Sequence, residues 1–313
     1  MGKEYENMEN PIKVISLFFF CMTFLLGVPG NVFVVHIAGM KMKRTVNTIW
    51  FLNLAIADLL CCFSIPFRAA DVLLDNRWPF GSAMCKILPL LMFVNMFASV
   101  FILCLISLDR FTQVITPVWA KNHRSLLLAR LSCVVAWILA IALSVPFIIF
   151  RETETVNETM YCLLFNDNNS ETFGMLRIIR FVFVFLIPLI CITTCYGIIA
   201  RKLGRSHFHT GRAFRIMTAV IVAFFLCWLP YHIVILIRKN GVTESDSVAE
   251  RLVPLVISLA YFNSCLNPVL YVFLGQNFKE KLKLSLRHIF ERAFSEDGTQ
   301  LPQSTEAQQM HSL

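Results

Sequence analysis

Charged residues are scarce in this chain and nearly absent from its long apolar stretches. Only 15% of the 313 residues are Asp, Glu, Lys or Arg, whereas soluble domains carry about 25%. Hydrophobic residues make up 57%, including 29 Phe. This composition excludes a pair of soluble domains, which is the organisation that such a length would otherwise favour.

Seven apolar stretches are each long enough to form a membrane-spanning helix, which needs roughly 20 residues rising ~1.5 Å each. The predicted spans are Val14–Met40, Thr45–Phe67, Ile87–Leu108, Leu131–Phe150, Phe181–Ala200, Ile216–Ile237 and Leu252–Phe278. The predicted fold is therefore an all-α membrane protein, a seven-transmembrane helix bundle that forms one domain. Because the first apolar run is too long for a cleavable signal peptide, we expect it to act as an uncleaved insertion signal.

Outside the bundle (14–274) the sequence predicts three further segments. Residues 1–13 are polar and form the N-terminus. Residues 275–292 mix apolar side chains such as Phe278 and Leu282 with Lys279, Lys281 and Lys283, a pattern typical of a short amphipathic helix on the cytoplasmic membrane surface. Residues 293–313 are polar, and we expect a disordered cytoplasmic tail.

The cations behind the net charge of +8 lie in the segments that follow alternate spans, and they are not concentrated in a nucleic-acid-binding domain. Its cations follow spans one, three, five and seven: Lys41, Lys43, Arg44, Lys121, Arg124, Arg130, Arg201, Lys202, Arg205, Arg212, Arg215, Lys279, Lys281, Lys283, Arg287 and Arg292. By the positive-inside bias these segments are cytoplasmic, where they also contact anionic lipids. We therefore predict a multi-pass plasma-membrane protein with an extracellular N-terminus, a cytoplasmic C-terminus and no nucleic-acid partner.

Two further features of the sequence predict that the segment between spans four and five is extracellular. Glycosylation sequons begin at Asn157 and Asn168. Nine of the eleven cysteines lie within spans, where they are small buried hydrophobes. The other two, Cys85 and Cys162, both face an oxidising compartment, so we predict a disulfide between them; two free thiols are the alternative.

Inside the predicted spans, Asp58 is the single acid, and no fixed cation accompanies it. A carboxylate in hydrocarbon costs several kcal/mol, so a buried Asp predicts a functional site. A transporter or proton-gated channel would need several such charges or inverted repeats, and neither is present. No metal-ligand cluster or nucleophile–base pair lies at membrane depth, so we predict that the chain is not an enzyme.

Short motifs occur one per span and in a fixed order. They are Gly30-Asn31, Asn53-Leu54-Ala55-Ile56-Ala57-Asp58, Asp109-Arg110-Phe111, Trp137, Pro188, Cys227-Trp228-Leu229-Pro230 and Asn267-Pro268-Val269-Leu270-Tyr271. Together they resemble the rhodopsin-like (class A) G-protein-coupled receptors over about residues 14–292. Phe111 departs from that pattern, because Tyr is usual there.

The resemblance implies two buried sites. The first is an allosteric sodium site formed by Asp58, Asn95, Ser99, Asn263 and Asn267; no other cofactor is implied. A protonated, hydrogen-bonded Asp58 is the alternative. The second is a set of activation-switch residues: Asp109, Arg110, Phe224, Trp228, Pro230, Tyr196 and Tyr271. Because the inner end of span six has no acid, Arg110 is expected to pair mainly with Asp109.

The ligand pocket is expected among the outer halves of spans two to seven. Met92 stands where amine receptors carry an acid, which argues against biogenic amines. Arg177 and Arg180 share one helical face, and Arg180 lies about two turns inside the membrane, where a cation favours a carboxylate partner. Arg177 alternatively extends to the headgroups. The remaining predicted pocket residues are Phe93, Met96, Tyr231, His232, Ile235, Ile257 and Tyr261.

Longer stretches sharpen the resemblance. They are Thr45–Leu54, Trp78–Gly81, Pro117–Arg124, Ala260–Pro268 and Gly275–Phe278. They are similar to the chemoattractant branch of the family, which holds the formyl-peptide, anaphylatoxin, chemerin and prostaglandin D2 receptors. Phe93 replaces an Asp of formyl-peptide receptors, and Val253 replaces an acid that anaphylatoxin receptors use for a ligand's terminal arginine.

The function implied is a receptor for a chemoattractant peptide or lipid that bears a carboxylate. Its expected partners are an inhibitory-class heterotrimeric G protein, arrestin and a receptor kinase. Because of Phe111 and the missing acid in span six, a non-signalling scavenger receptor remains the alternative.

Overall fold

A computed structural model describes residues 2–149, 151–164, 170–204, 212–237 and 244–274. Within them, seven helices are long and apolar enough to cross a membrane, at Pro11–Lys41, Val46–Leu73, Gly81–Ile115, Leu126–Ile149, Gly174–Lys202, Arg215–Ile237 and Val248–Tyr271. The predicted seven-transmembrane bundle is thus confirmed. The predicted amphipathic helix (275–292), the tail (293–313) and Asn168 lie outside the described residues.

Several spans consist of more than one helical segment. The helices are α1 (Gly2–His36), α2 (Val46–Cys62), α3 (Ile65–Leu73), α4 (Gly81–Ile115), α5 (Pro117–His123), α6 (Leu126–Ser144), α7 (Pro146–Ile149), α8 (Ser170–Arg180), α9 (Ile187–Gly204), α10 (Arg212–Ile237) and α11 (Glu244–Leu274). Two π-helical turns, Ile37–Lys41 and Phe181–Leu186, extend α1 and join α8 to α9.

Proline accounts for the interruptions in spans two and four. Pro66 lies in the first turn of α3 and Pro146 begins α7, the turn where the missing backbone N–H costs least. At the first break, the carbonyl of Cys61 accepts from both the hydroxyl (2.7 Å) and the backbone N–H (3.0 Å) of Ser64. Pro230 and Pro268 instead lie within continuous helices.

Span two continues beyond its predicted end at Phe67, and this overturns one prediction. After the bend, α3 extends to Leu73 and brings Arg68 into the bundle, where it is only 9% exposed. Arg180 is buried as well (5%). Asp58 is therefore not the only charged residue inside the membrane-spanning helices, since two buried arginines accompany it.

A two-stranded antiparallel hairpin covers one end of the bundle, which we call the hairpin end. Its strands are β1 (Arg151–Val156) and β2 (Thr159–Leu164). Asn157 and Glu158 form the turn with positive φ angles of 48° and 63°, a conformation that Asn tolerates well. The predicted disulfide is confirmed, since Cys162 of β2 is bonded to Cys85 of α4. The hairpin is thus fixed to span three.

Many large aliphatic side chains lie on the outer surface of the bundle, and polar residues such as Asn31 and Ser264 are buried inside it. Leu25 and Leu131 are 65% and 54% exposed on the outer surface, as expected where lipid replaces water. Inside, Gly30 allows α1 to approach α11 so closely that a Cβ atom there would lie 2.8 Å from Cβ of Pro268. Small residues at such contacts are typical of membrane helix packing.

Candidate functional site

Arg180, the last residue of α8, is buried within the hairpin-end half of the bundle. Its guanidinium carbon lies 5.2 Å from the ring centroids of Phe93 and Phe147 and 5.1 Å from that of Tyr231. Its Nε has no hydrogen-bond partner, and it forms no ion pair with any acid that the structure describes. Ring faces stabilise a cation but do not neutralise it, so this aromatic cage leaves a buried positive charge available.

Beside the cage lies His232, another predicted pocket residue. The His232 ring lies edge-on to Tyr231 (5.6 Å) and to Phe181 (5.9 Å), and its Nε2 is buried without a partner. Met92, Met96 and Tyr261 are almost fully buried, while Ile235 and Ile257 are partly buried. Arg177, one turn before Arg180 on α8, is partly exposed. Phe147, which completes the cage, is absent from the sequence prediction.

A second group of charged residues surrounds a cavity of about 350 Å³ between spans two and seven and the hairpin. Arg68, Asp71, Arg151 and Glu250 line it together with Val253. The remaining lining residues are Phe20, Val72, Asn76, Tyr161, Cys162, Pro254 and Ile257. Only Ile257 among them was predicted as a ligand contact. Arg68 and Asp71 lie just beyond the predicted end of span two, so the hydropathy pattern gave no reason to place them inside.

Asp58 lies at the centre of a buried polar network. Asn267 donates to Asp58 Oδ2 at 2.7 Å, and Asn95, with its amide oriented to match its neighbours, donates to Oδ1 at 3.3 Å and accepts from Ser264 at 3.2 Å. The hydroxyl of Ser99 is 3.3 Å from the Asn95 amide. Four of the predicted residues, Asp58, Asn95, Ser99 and Asn267, therefore come together, and Ser264 joins them.

The oxygen atoms of this network are of the kind that binds a small hard cation. Both amide atoms of Asn263 and Oδ1 of Asn267 are buried without a hydrogen-bond partner among the described residues. Carboxylate, hydroxyl and amide oxygens are the ligands that hard cations prefer. A bound sodium ion would supply a positive charge that compensates the buried carboxylate.

Trp228 and Phe224 of α10 pack against each other, with 6.0 Å between their ring centroids. Both are 1% exposed, and Pro230 follows within the same helix. Tyr231 connects the two regions, because its ring contacts Arg180 and also lies 5.7 Å from Trp228 in an edge-on arrangement. A change at Arg180 therefore has a direct packing route to Trp228.

At the end opposite the hairpin, the pairing of Arg110 differs from the prediction. Asp109 pairs with Arg124 instead, with Nε to Oδ1 at 2.8 Å. Arg110 donates to Asn47 Oδ1, to Gln113 Oε1 (3.3 Å) and to the Met217 sulfur (3.0 Å). The expected Arg110–Asp109 pair is thus wrong, because the fork of Arg124 and the amide of Gln113 occupy the carboxylate.

The two predicted tyrosines of the activation switch lie in different environments. Tyr271 of α11 is buried (1%), and its ring is 4.7 Å from that of Phe51. Tyr196 of α9 is partly buried.

Comparison with known proteins places the chain among receptors. Residues 30–271 match the 7 transmembrane receptor (rhodopsin family) model. The chain belongs to this family. It is 68% identical to the C3a anaphylatoxin chemotactic receptor of Danio rerio, covering 97% of this chain and 84% of that relative. It is 40% identical both to Formyl peptide receptor 2 of Mus musculus (93% and 88% covered) and to Chemerin-like receptor 1 of Homo sapiens (91% and 81%).

The family and these relatives confirm the predicted function at the level of class. The protein is a chemoattractant-type G-protein-coupled receptor of the membrane, and it is not an enzyme. It has an extracellular ligand and a G-protein partner, as its family implies. A signalling receptor fits these relatives better than a scavenger or a transporter does.

Proposed function

We propose that this receptor recognises a peptide of the C3a anaphylatoxin type and holds the peptide's C-terminal carboxylate at Arg180. This proposal rests on the buried guanidinium of Arg180, which contacts three aromatic rings and has no acidic partner among the described residues. Such a cation favours an incoming anion, and Arg binds a carboxylate through two parallel hydrogen bonds. The peptide class follows from the similarity to the Danio rerio relative.

Two peptides that copy the C-terminal end of Danio rerio C3a would test this proposal, one as the free acid and one as the C-terminal amide. In cells that express the wild-type receptor, we expect the acid to be more potent by about 10-fold or more, since a lost hydrogen bond to a charged group costs about 1.5–3 kcal/mol. The Arg180→Gln receptor should lose this preference. Arg177→Gln is the matched control, because Arg177 lies one turn away on the same helix. This variant should keep the preference for the acid. Equal potency of acid and amide at the wild-type receptor would contradict the proposal.

The G protein and the later partners are part of the same proposal. The inhibitory class, arrestin and a receptor kinase follow from the resemblance to chemoattractant receptors. Agonist should therefore lower forskolin-stimulated cAMP, and pertussis toxin should abolish that effect. A rise in cAMP, or a toxin-resistant response, would identify another class of G protein.

We further propose that the hairpin end is extracellular and that a sodium ion binds beside Asp58. The distribution of cations supports the first statement, and the polar network around Asp58 supports the second. Asn157 at the exposed hairpin turn provides a test of orientation, because only a luminal sequon receives a glycan. Asn157→Gln should increase the electrophoretic mobility of the receptor, and the glycosidase-treated proteins should migrate together.

A further inference from the structure

A groove of about 150 Å³ lies at the end of the bundle opposite the hairpin, between spans two, three and four and the short helix α5. Leu105, Leu108 and Leu128 form part of its apolar wall. Leu108 and Leu128 are 43% and 51% exposed on the outer surface of the bundle, so the groove is open toward the lipid. It contains none of the predicted ligand-pocket or sodium-site residues.

Trp50 of α2 contributes a buried polar group to the lining of this groove. It is 4% exposed, and its indole Nε1 is buried without a hydrogen-bond partner among the described residues. An indole N–H is a donor only, and a buried donor that stays unsatisfied costs free energy. By contrast, the indole N–H of Trp137 donates to Asn53 Oδ1 at 3.0 Å. Trp50 therefore favours a ligand that carries an oxygen acceptor.

The depth of Trp50 narrows the choice of acceptor. Trp50 is four residues from Val46, where α2 begins, a distance of ~6 Å along the helix axis. In a bilayer this depth corresponds to the boundary between the headgroups and the hydrocarbon core, where the ester carbonyls of diacyl phospholipids lie. An ester carbonyl that accepts from Trp50 leaves its acyl chain free to follow the apolar wall of the groove.

The segment that borders the groove on the headgroup side is positively charged. Residues 116–130 contain Lys121, Arg124 and Arg130 and no acid. Lys121 and Arg130 are exposed, and Arg124 lines the groove itself. Such a cluster of cations beside a membrane attracts anionic lipids.

Arg124 also has donors left for a phosphate group. Its Nε and Nη2 donate to Asp109 and Asn47, while its Nη1 bonds to no residue that the structure describes. Ser125, the N-cap of α6, lines the groove beside it. The N–H groups of a first helical turn and the helix dipole favour an anion at this position. A phosphate is therefore matched by charge and by hydrogen-bond donors next to the apolar wall.

We infer that this groove binds an anionic diacyl phospholipid. Its phosphate lies at Arg124 and the first turn of α6, one ester carbonyl accepts from the indole N–H of Trp50, and the acyl chain lies against spans three and four. With the orientation proposed above, the lipid comes from the cytoplasmic leaflet, which carries phosphatidylserine. The groove is separate from the aromatic cage, so this inference does not depend on the identity of the peptide ligand.

Three short-chain lipids test this inference on the purified receptor in detergent, without peptide. They are dioctanoyl phosphatidylserine, its diether analogue, which lacks both ester carbonyls, and dioctanoyl phosphatidylcholine, which has no net charge. The rise in melting temperature with lipid concentration gives an apparent dissociation constant for each lipid. We expect the diacyl serine lipid to bind about fivefold more tightly than either of the others, since each comparison removes one hydrogen bond or one charge contact.

Trp50→Phe removes the indole N–H and keeps an aromatic ring. It should abolish the difference between the diacyl and diether lipids and preserve the preference for serine over choline. Trp137→Phe is the matched control, because Asn53 already satisfies that indole N–H; it should keep both preferences. The double variant Lys121→Gln, Arg130→Gln should weaken only the preference for the serine headgroup, because it removes two exposed cations.

Ser132→Leu provides a second test if Trp50→Phe is too unstable to purify. Ser132 lines the groove and is partly buried, so the larger side chain occupies space that the acyl chain needs. This variant should bind all three lipids more weakly than the wild type does. Unchanged binding in Ser132→Leu would contradict the inference.

The remaining outcomes are equally decisive. Equal affinity for the diacyl and diether lipids at the wild-type receptor, or a difference that survives in Trp50→Phe, overturns the inference, as does equal affinity for the serine and choline lipids. If cholesterol raises the melting temperature through Trp50 and phosphatidylserine does not, the groove holds a sterol and the inference is wrong. Because no peptide is present, none of these results changes the role proposed for Arg180.

Discussion

Arg124, just after the short helix α5, forms an ion pair with Asp109 of span three, with Nε to Oδ1 at 2.8 Å and Nη2 to Oδ2 at 3.2 Å. The same Nη2 donates to Oδ1 of Asn47 at 2.9 Å, the oxygen that also accepts from Arg110. One amide oxygen of span two therefore holds both arginines. The structure thus offers Asn47 as a partner for Arg110 where span six has no acid.

The first prediction concerns this shared oxygen. Asn47→Ala should raise agonist-independent signalling by about threefold or more, because Arg110 loses an acceptor worth about 1.5–3 kcal/mol to a charged donor. Basal inhibition of cAMP, normalised to surface expression, measures the effect. Asn53→Ala is the control on the same helix, since Asn53 bonds Trp137 (3.0 Å) instead of an arginine. Equal basal activity in both variants would show that Asn47 does not restrain the receptor.

The wrong prediction of an Arg110–Asp109 pair shows which kind of contact cannot be predicted from the sequence. Asp109 and Arg110 are adjacent in a helix, and neighbours in sequence point to different sides of it. Arg124 is fifteen residues from Asp109, and only the fold of the segment after span three brings it close. The seven spans, the disulfide and the residues around Asp58 follow from hydropathy, spacing and family motifs. Contacts through loops and bends, such as those of Arg124 and Arg68, do not.

The second prediction tests the sodium site. Asp58→Asn should abolish the effect of sodium on agonist affinity, because the amide keeps the size of the side chain and removes the charge that attracts the ion. Competition binding in sodium chloride and in the matched N-methylglucamine salt measures this effect. Asn53→Ala again serves as the control and should preserve it. A sodium response that is unchanged in Asp58→Asn would exclude Asp58 as a ligand of the ion.

The third prediction concerns stability at the contact between α1 and α11. Gly30→Ala places a Cβ atom 2.8 Å from Cβ of Pro268 and 3.1 Å from its Cγ, so the helices must separate. Overpacking of this kind costs about 1–3 kcal/mol, and the melting temperature in detergent should fall by several degrees. Gly197→Ala has no atom within 4 Å of the new Cβ. It should leave the melting temperature equal or slightly higher, because alanine favours a helix.

The fourth prediction follows from an exposed ion pair at the hairpin end. Lys13 Nζ lies 2.6 Å from Asp75 Oδ1 and holds the pKa of Asp75 below its ordinary value of 3.8. A depressed pKa means that the pair stabilises the fold above the unfolded-state pKa and loses this effect as the pH falls through the lower folded value. The pair should therefore be unchanged between pH 7 and pH 5 and lost only below about pH 4.

Asp75→Asn measures the size of this effect. The pair is largely exposed to solvent, so the melting temperature should fall by no more than about 2 °C at pH 7 and pH 5. Below pH 4 the variant and the wild type should converge. A difference between them that disappears already between pH 7 and pH 5 would show that another group titrates in that window.

The fifth prediction concerns the link from Arg180 to Trp228 through the ring of Tyr231. Tyr231→Leu removes a ring that contacts both residues, so it should lower agonist affinity and also the maximal response. Phe147→Leu is the matched control, because Phe147 contacts Arg180 (5.2 Å) and lies in span four, away from α10; it should lower affinity alone. A desolvated cation–ring contact is worth about 2 kcal/mol, so without it the guanidinium of Arg180 is held less firmly in the position that meets the peptide.

Tyr231→Phe distinguishes the ring from its hydroxyl. It keeps the aromatic face toward Arg180 and the edge toward Trp228, so both affinity and maximal response should remain near the wild-type values. Binding of a labelled peptide gives the affinity, and G-protein activation at saturating peptide gives the response. If Tyr231→Leu and Phe147→Leu lower the response equally, packing at Tyr231 does not carry the signal, and Arg180 reaches Trp228 through another element.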